Sequence, residues 1–273
     1  SFQSCELSGA GFIISEERAK EWININPKNQ EVLKPMIDGS TLVNPNAQLE
    51  WVIDFNNMAI EQAMKYKEPF EHTKEFVKPT RINNKEKRRR EKWWLFGRSR
   101  PAMRKALEGL NCYFCLPKVA KYTCFQAIDI SILPCEANMV VASNDFFILG
   151  ILNSKTHLDW VKAQSSTLKS DIRYTNTTCY ETFPFPKNVS EKAKEKVRVI
   201  MTELENFRKE EAIEAKISIT KFYNLFINEL SSNLFKLHQK LDKAVCSAYG
   251  WKYKEAKNYN EELLKLNKGT GKK

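Results

Sequence analysis

The sequence predicts an α+β protein: a mixed α/β part carrying a small mixed or antiparallel sheet, followed by an α-helical C-terminal region. Three observations lead there. Helix caps alternate with strand-like runs over the first ninety residues, short β-branched and aromatic runs bounded by Pro, Asn and Asp crowd residues 111–152, and apolar residues recur at helical spacing after Ser190. With 273 residues and 42% hydrophobic content the chain can bury a sizeable core. Two parts are expected, 1–189 and 190–273.

Taken in order, Ser15 is placed to cap a helix with Ala19, Trp22 and Ile23 on one face, and Trp51-Val52-Ile53-Asp54-Phe55 has the content of a strand. Asn57 is expected to cap a second helix presenting Ile60, Ala63 and Met64, ended or bent by Pro69. An extended basic segment should follow. Ser99 and Pro101 then start a short helix with Met103, Ala106, Leu107 and Leu110 inward and Gly109 near its C-terminal end. Four strands are expected next, Tyr113–Leu116, Lys121–Ile128, Met139–Ala142 and Phe147–Leu152, divided by Pro117, Leu133-Pro134 and the Ser143-Asn144-Asp145 turn. Ser154 caps a helix through Leu158, Trp160 and Val161, and the two prolines of Thr182-Phe183-Pro184-Phe185-Pro186 require an extended chain. Beyond Ser190, Val197, Ile200, Met201, Leu204 and Phe207, then Phe222, Phe226 and Leu230, then Leu234, Leu237, Leu241, Val245 and Ala248 predict two or three amphipathic helices before a polar GTGKK tail.

The charge is local. Between Lys65 and Lys105 stand fifteen Lys and Arg against five Glu and no Asp, a local +10 within a formal +11. A field concentrated in this way is the footprint of a polyanion site, whereas evenly spread charge serves solubility. In Asn84 to Leu107 the arginines suit phosphates better than lysines would, because a guanidinium binds them bidentately. Trp93-Trp94 is expected to anchor this segment to the core rather than to stack on bases.

Chemistry-bearing constellations are few. His72, His157 and His238 fall in separate helical segments without a metal-ligand pattern, and read as structural. Cys112-x-x-Cys115 with Cys124 and Cys135 could form a zinc site, but no second C-x-x-C follows and buried thiols explain the pattern better. Gly9-Ala10-Gly11 lacks the strand and third glycine of a dinucleotide loop, and Glu214-Ala215-Lys216 reads as a solvated helix face. No apolar run approaches the roughly 20 residues of a membrane span. Seven cysteines without disulfide-like spacing fit a cytoplasmic chain, and an opening at Ser1 without a leader suggests a piece of a longer protein.

In the order of its motifs the chain resembles the C-terminal part of MmeI-like, type IIL restriction-modification enzymes and related adenine-specific DNA methyltransferases. The motifs are Gly11-Phe12-Ile13-Ile14, Trp51 to Phe55, Glu91-Lys92-Trp93-Trp94, Arg100-Pro101-Ala102-Met103-Arg104, Pro117-Lys118-Val119-Ala120-Lys121 and Leu152-Asn153-Ser154-Lys155. Arg173-Tyr174-Thr175, Tyr180 to Pro186, Leu241 to Val245 and Tyr249-Gly250-Trp251 complete the series.

The resemblance implies a target recognition domain followed by helices, downstream of a bacterial or archaeal methyltransferase domain. It implies double-stranded DNA as partner and no catalysis by this chain alone. The N-P-P-Y-like motif and S-adenosylmethionine loop of methyl transfer are missing from this sequence, so that cofactor and the methyltransferase domain are expected in a missing N-terminal part. In the family the segment after Pro117 faces the major groove, which makes Lys118, Lys121, Tyr122, Thr123 and Gln126 the candidate base readers. Strand alternation would set Lys121, Thr123 and Phe125 against Tyr122, Cys124 and Gln126, so not all of them can read. Lys87, Arg88, Arg89, Arg90, Arg98, Arg100, Arg104, Lys155, Lys169 and Arg173 are the candidate phosphate contacts. The alternative is an interaction module that docks an acidic protein through the basic surface; RNA binding lacks the RNP-type aromatic motif.

Overall fold

A computed structural model describes residues 1–168, 171–255 and 257–270. The N-terminal part runs β1 (Phe2–Gln3), β2 (Ile13–Ile14), α1 (Glu16–Ile25), β3 (Leu33–Ile37), α2 (Gly39–Leu42), β4 (Trp51–Ile53), α3 (Ile60–Ala63), α4 (Lys67–Phe76), α5 (Lys78–Arg81), α6 (Lys87–Glu91) and α7 (Pro101–Leu107). The central part runs β5 (Cys112–Pro117), β6 (Val119–Ala120), β7 (Gln126–Asp129), β8 (Leu133–Pro134), β9 (Asn138–Val141), α8 (Phe146–Leu152), α9 (Lys155–Gln164), β10 (Ser166–Leu168) and β11 (Asp171–Arg173). The helices α10 (Glu191–Glu214), α11 (Ile219–Phe226), α12 (Asn233–Ala248) and α13 (Asn260–Thr270) follow. This is the α+β layout with a helical C-terminal region that the sequence predicts, with one helix more than its apolar periodicity disclosed. No described helix is long and apolar enough to cross a membrane.

Among the described residues the strands form three small sheets, in the orders β1-β9-β5-β7, β10-β11-β6 and β2-β4-β3-β8. Pairing is antiparallel except between β3 and β8. The sheet containing β5 and β9 is a partition with a core on each face. Because side chains alternate along a strand, Phe114, Leu116, Met139 and Val141 join the core beneath α8, α10 and α12. Tyr113, Cys115 and Val140 join a second core with Phe12, Val52 and Met103. A third cluster gathers α1 and α4 against Trp93, Trp94 and Leu95. Both tryptophans are buried, as the anchoring expectation required.

Ser15, Ser154 and Ser190 cap their helices, accepting from the N–H groups of Arg18, His157 and Ala193. Elsewhere the structure corrects the sequence reading. Phe147 to Leu152 is helix, not strand: Asp145 accepts from the Phe147 N–H at 2.9 Å and starts α8. An apolar run buried on all sides carries no periodicity by which strand and helix can be told apart. The predicted strand Lys121–Ile128 is regular only from Gln126 on, in β7, while β6 ends before it at Ala120. The basic segment contains the short helices α5 and α6 instead of running extended. Asn57 caps nothing and accepts from the Ser99 hydroxyl at 2.8 Å, which removes Ser99 from the start of α7 as well. Pro69 lies in the first turn of α4, where a missing N–H costs no helical bond, so it opens a helix rather than ending one. Leu230 is exposed rather than continuing an apolar face.

The C-terminal helices share the largest core with the central sheet. Gly150 of α8 shows how closely: a Cβ there would stand 2.4 Å from Val197 of α10 and 3.3 Å from Leu241 of α12. Arg208, fully buried on α10, donates to the Asn153 amide oxygen, the Tyr223 hydroxyl, the Phe125 carbonyl and Glu205. Burial pushes the Glu205 carboxyl up, but the charges of Arg208 and Lys209 outweigh it and hold it below its usual value. Glu205 in turn accepts from the Ala127 N–H of β7 at 3.0 Å, bolting α10 to the sheet edge.

Candidate nucleic-acid interface

The cations of the basic segment divide into two groups once folded. Arg81, in no candidate set, is buried and donates to the carbonyls of Leu7, Ser8, Trp93 and Leu95, with its guanidinium 4.9 Å from the Phe12 ring. Burial, then Arg89 and Arg88, lower its pKa to about 10. Arg104 is likewise inward, donating to both oxygens of Asp54 at 2.7 and 3.1 Å and to the Ser99 carbonyl at 2.7 Å. A guanidinium so engaged is structural, and Arg104 leaves the phosphate set. Arg89 is mostly buried and bridges Glu6 and Glu86.

The remaining candidates face water. Lys87, Arg88, Arg90 and Arg98 are exposed, Arg88 donating to the Gly97 carbonyl at 2.5 Å and Arg90 to that of Asn84 at 2.7 Å. Arg98 meets Glu6 at 3.3 Å, so this one carboxylate gathers Arg89 and Arg98 and fixes α6 against the loop after Trp94. Arg100 has a left-handed backbone, φ 54°, and is held by the Ser4 carbonyl and the Gln3 side chain.

Lys118 joins this band to the small sheet. Burial first, then Arg100 and more weakly Arg173, push its ammonium below the usual value, against Glu6 and Glu136. Its carbonyl accepts from Tyr174 N–H at 2.8 Å, and Val119 pairs with Arg173 across β6 and β11. Arg173 is exposed and has no side-chain partner among the described residues. Lys169 lies outside the described residues.

On the other flank a cleft of about 420 Å³ takes in Lys121, Tyr122, Thr123 and Lys155, three candidate readers and a candidate phosphate contact. Its far wall comes from α11 and α12, which sequence reasoning did not connect with the readers. Lys121 and Tyr122 both donate to the side-chain oxygen of Asn224, at 2.5 and 3.0 Å. Lys155 donates to Asp159 at 2.6 Å and to the Lys257 carbonyl at 3.0 Å. Gln126 is not there. It is buried with its amide donating to the Leu42 carbonyl at 2.7 Å, so it cannot meet a duplex, and it leaves the reading set. The interrupted strand also voids the alternation expected from Lys121 to Gln126.

The other chemical readings resolve locally. Among the described residues no group of three or more His, Cys, Asp or Glu side chains could hold a metal ion. Cys112 packs against one core and Cys115 against the other, because residues three apart on a strand face opposite ways. Burial pushes the Cys115 thiol far above its usual value and that of Cys5 to about 11. A Cβ on Gly11 would stand 2.8 Å from the Phe76 backbone, so that glycine serves close packing on α4 and forms no cofactor cradle. His157 is fully buried, with its pKa lowered by burial to about 3.

Residues 2–187 match the family described as MmeI, target recognition domain. Over 128 residues, 46% of this chain, 34% are identical to a Bacillus subtilis (strain 168) protein named DNA methyltransferase A, of which the match spans 14%. The fold is also similar to a solved structure of the type IIL restriction-modification enzyme MmeI in complex with DNA, with a TM-score of 0.74 and 19% identity. That likeness covers 98% of this chain and 35% of the other, so this chain corresponds to a minor part of both proteins.

Proposed function

The chain belongs to the MmeI target recognition domain family, and we propose that it reads a specific sequence in double-stranded DNA for an adenine-specific methyltransferase or type IIL restriction-modification enzyme. One observation carries the proposal: the cations that the fold leaves accessible form a connected band rather than a scatter. It runs from Arg88, Arg90 and Arg98 through Arg100 to Lys118 and Arg173: Arg88 donates to the carbonyl of Gly97 next to Arg98, Arg98 pairs with Glu6, and Glu6, Arg100 and Arg173 all act on the Lys118 ammonium. Such a band holds phosphates and sets register, and sequence is read by side chains at base edges.

Lys118, Lys121, Tyr122 and Thr123 are the proposed readers. Arg173 stands with them rather than with the phosphate contacts, because it is free and set directly across from Val119. A guanidinium there can donate twice to guanine O6 and N7. Lys87, Arg88, Arg90, Arg98 and Arg100 are the phosphate contacts, with Arg89 positioning them. Lys155 reaches the same duplex only by exchanging Asp159. Methyl transfer, and S-adenosylmethionine with it, are assigned to an N-terminal domain of the longer enzyme in a bacterial or archaeal cytoplasm. The division between 1–189 and 190–273 is proposed as one of sequence units, since the helices share the core of the sheet.

Fluorescence anisotropy with duplex DNA over a salt series tests the reading. Binding should weaken steeply with salt, and charge reversal at Arg88, Arg90 and Arg98 together should abolish it at 150 mM. A flat salt slope, or loss of an acidic protein partner with DNA affinity intact, would favour the protein-docking alternative instead.

A further inference from the structure

The cleft beside the readers is better built than a phosphate-gripping surface requires. Its volume of about 420 Å³ lies within the range of ligand pockets, and aromatic side chains from both halves of the chain line it. The Tyr122 ring is fixed by its hydroxyl bond to Asn224 and by the Tyr223 ring at 5.4 Å. Tyr253 faces the same space from the segment after α12. Flat, immobilised rings are what a base stacks upon.

The polar group between these walls is Asp242. One of its oxygens accepts from the Lys155 N–H at 2.7 Å, and the other has no protein partner among the described residues. Lys155 and Asp159 of α9, Tyr253 and Glu255 of the following segment, and His238 of its own helix surround it. The Lys155 ammonium is engaged by Asp159 and the Lys257 carbonyl, so it does not form a salt bridge with Asp242. Burial dominates and raises the carboxyl pKa to about 7. Near neutral pH the group therefore exists in large part as a neutral acid, with one O–H donor beside one acceptor. Lys162, which also lines the cleft, is exposed and has no partner among the described residues.

We infer that this cleft receives one nucleobase swung out of the bound duplex, stacked on its tyrosines and hydrogen-bonded along its edge to Asp242. The inference rests on the DNA-binding reading above. The neutral edge of Asp242 complements N1 and N6 of adenine or N3 and N4 of cytosine. Guanine N1–H and O6, or thymine N3–H and O4, answer the same donor–acceptor edge with the base turned over, so the choice among bases falls to the shape of the cleft. Tyr122 and Tyr253 supply stacking surfaces, and Lys162 holds a flanking phosphate.

The test uses duplexes enriched from a random pool on the 273-residue chain, with 2-aminopurine or pyrrolocytosine placed at successive positions. Anisotropy and probe emission are read from the same samples. One position should brighten several-fold on binding, and the probe that brightens there distinguishes a purine from a pyrimidine. Asp242→Asn should keep the signal, because a carboxamide presents the same donor and acceptor, and Asp242→Ala should lose it. Lys162→Glu, on an exposed side chain, gives a second arm that does not depend on the alanine variant folding, and should lower the signal several-fold. Binding with unchanged emission at every position overturns the inference and leaves DNA binding standing, as does emission that survives both Asp242→Ala and Lys162→Glu. Absence of any anisotropy change at low salt overturns DNA binding itself, and this inference with it.

Discussion

Arginines that look alike in sequence have opposite roles once folded. Arg104 closes a nearly buried pair with Asp54, whereas Arg98 is 59% exposed beside a shared carboxylate. Arg104→Ala should lower stability by about 3 kcal/mol, the cost of leaving a buried charge without its partner. Arg98→Ala should leave the denaturation midpoint unchanged while lowering the slope of log affinity against log salt by about one. Urea unfolding and the salt titration read the two outcomes separately. Asp242 makes a pH prediction at the same scale. Its folded pKa, about 7, is raised above an ordinary 3.8, so its protonated form is favoured by folding. That contribution is complete below about pH 4 and is lost as pH rises through 7. Asp242→Asn should therefore be more stable than the parent at pH 8, with the difference shrinking toward pH 5. His157 acts in the other direction, because its folded pKa of about 3 makes acid below its ordinary 6.5 destabilising. An unchanged gap between the two proteins from pH 5 to 8 would remove Asp242 as the source.

Among the elements, α8 shows where packing fills a gap left by pattern. Its apolar run is covered on all sides by the sheet and by α10 and α12, and the close approach requires the missing side chain at Gly150. Gly150→Ala should destabilise by about 1–3 kcal/mol despite alanine's better helix propensity, because Val197 has no room to withdraw. A gain in melting temperature would show that the crossing is looser than the contact implies. The caps Ser15 and Ser154 are legible, since each is a short polar side chain before an apolar face, whereas Ser190 marks only a change of composition. Asp145 lay inside a predicted turn but was read as bounding a strand, because the run behind it had no period to favour a helix. The short helices α5 and α6 escape a linear reading for the converse reason: a charged segment has no apolar face to reveal its period, and buried Arg81 ties the end of α5 to the carbonyls of Leu7, Ser8, Trp93 and Leu95.

For the whole molecule, the core beneath the central sheet is completed by helices that come after residue 190. A chain ending at residue 189 would expose the faces of Phe114, Leu116, Met139 and Leu152 that α10 and α12 cover. It should be recovered aggregated or without a cooperative thermal transition, while the full chain unfolds in one step; a soluble, cooperative 1–189 fragment would contradict this. The same joining creates the cleft, whose two walls lie about a hundred residues apart.

The sequence by itself determined the fold class, the family, the location of the positive charge and the burial of Trp93 and Trp94. These follow from composition, local spacing and motif order, which survive without knowledge of contacts. Only the tertiary structure decided which cations stay free, that Gln126 and Arg104 turn inward, and that Asp242 stands beside Lys121, Tyr122 and Thr123. Each depends on partners far along the chain: Leu42 for Gln126, Asp54 for Arg104, and Lys155 for Asp242. Long-range pairing of this kind leaves no period and no spacing for a linear reading to find.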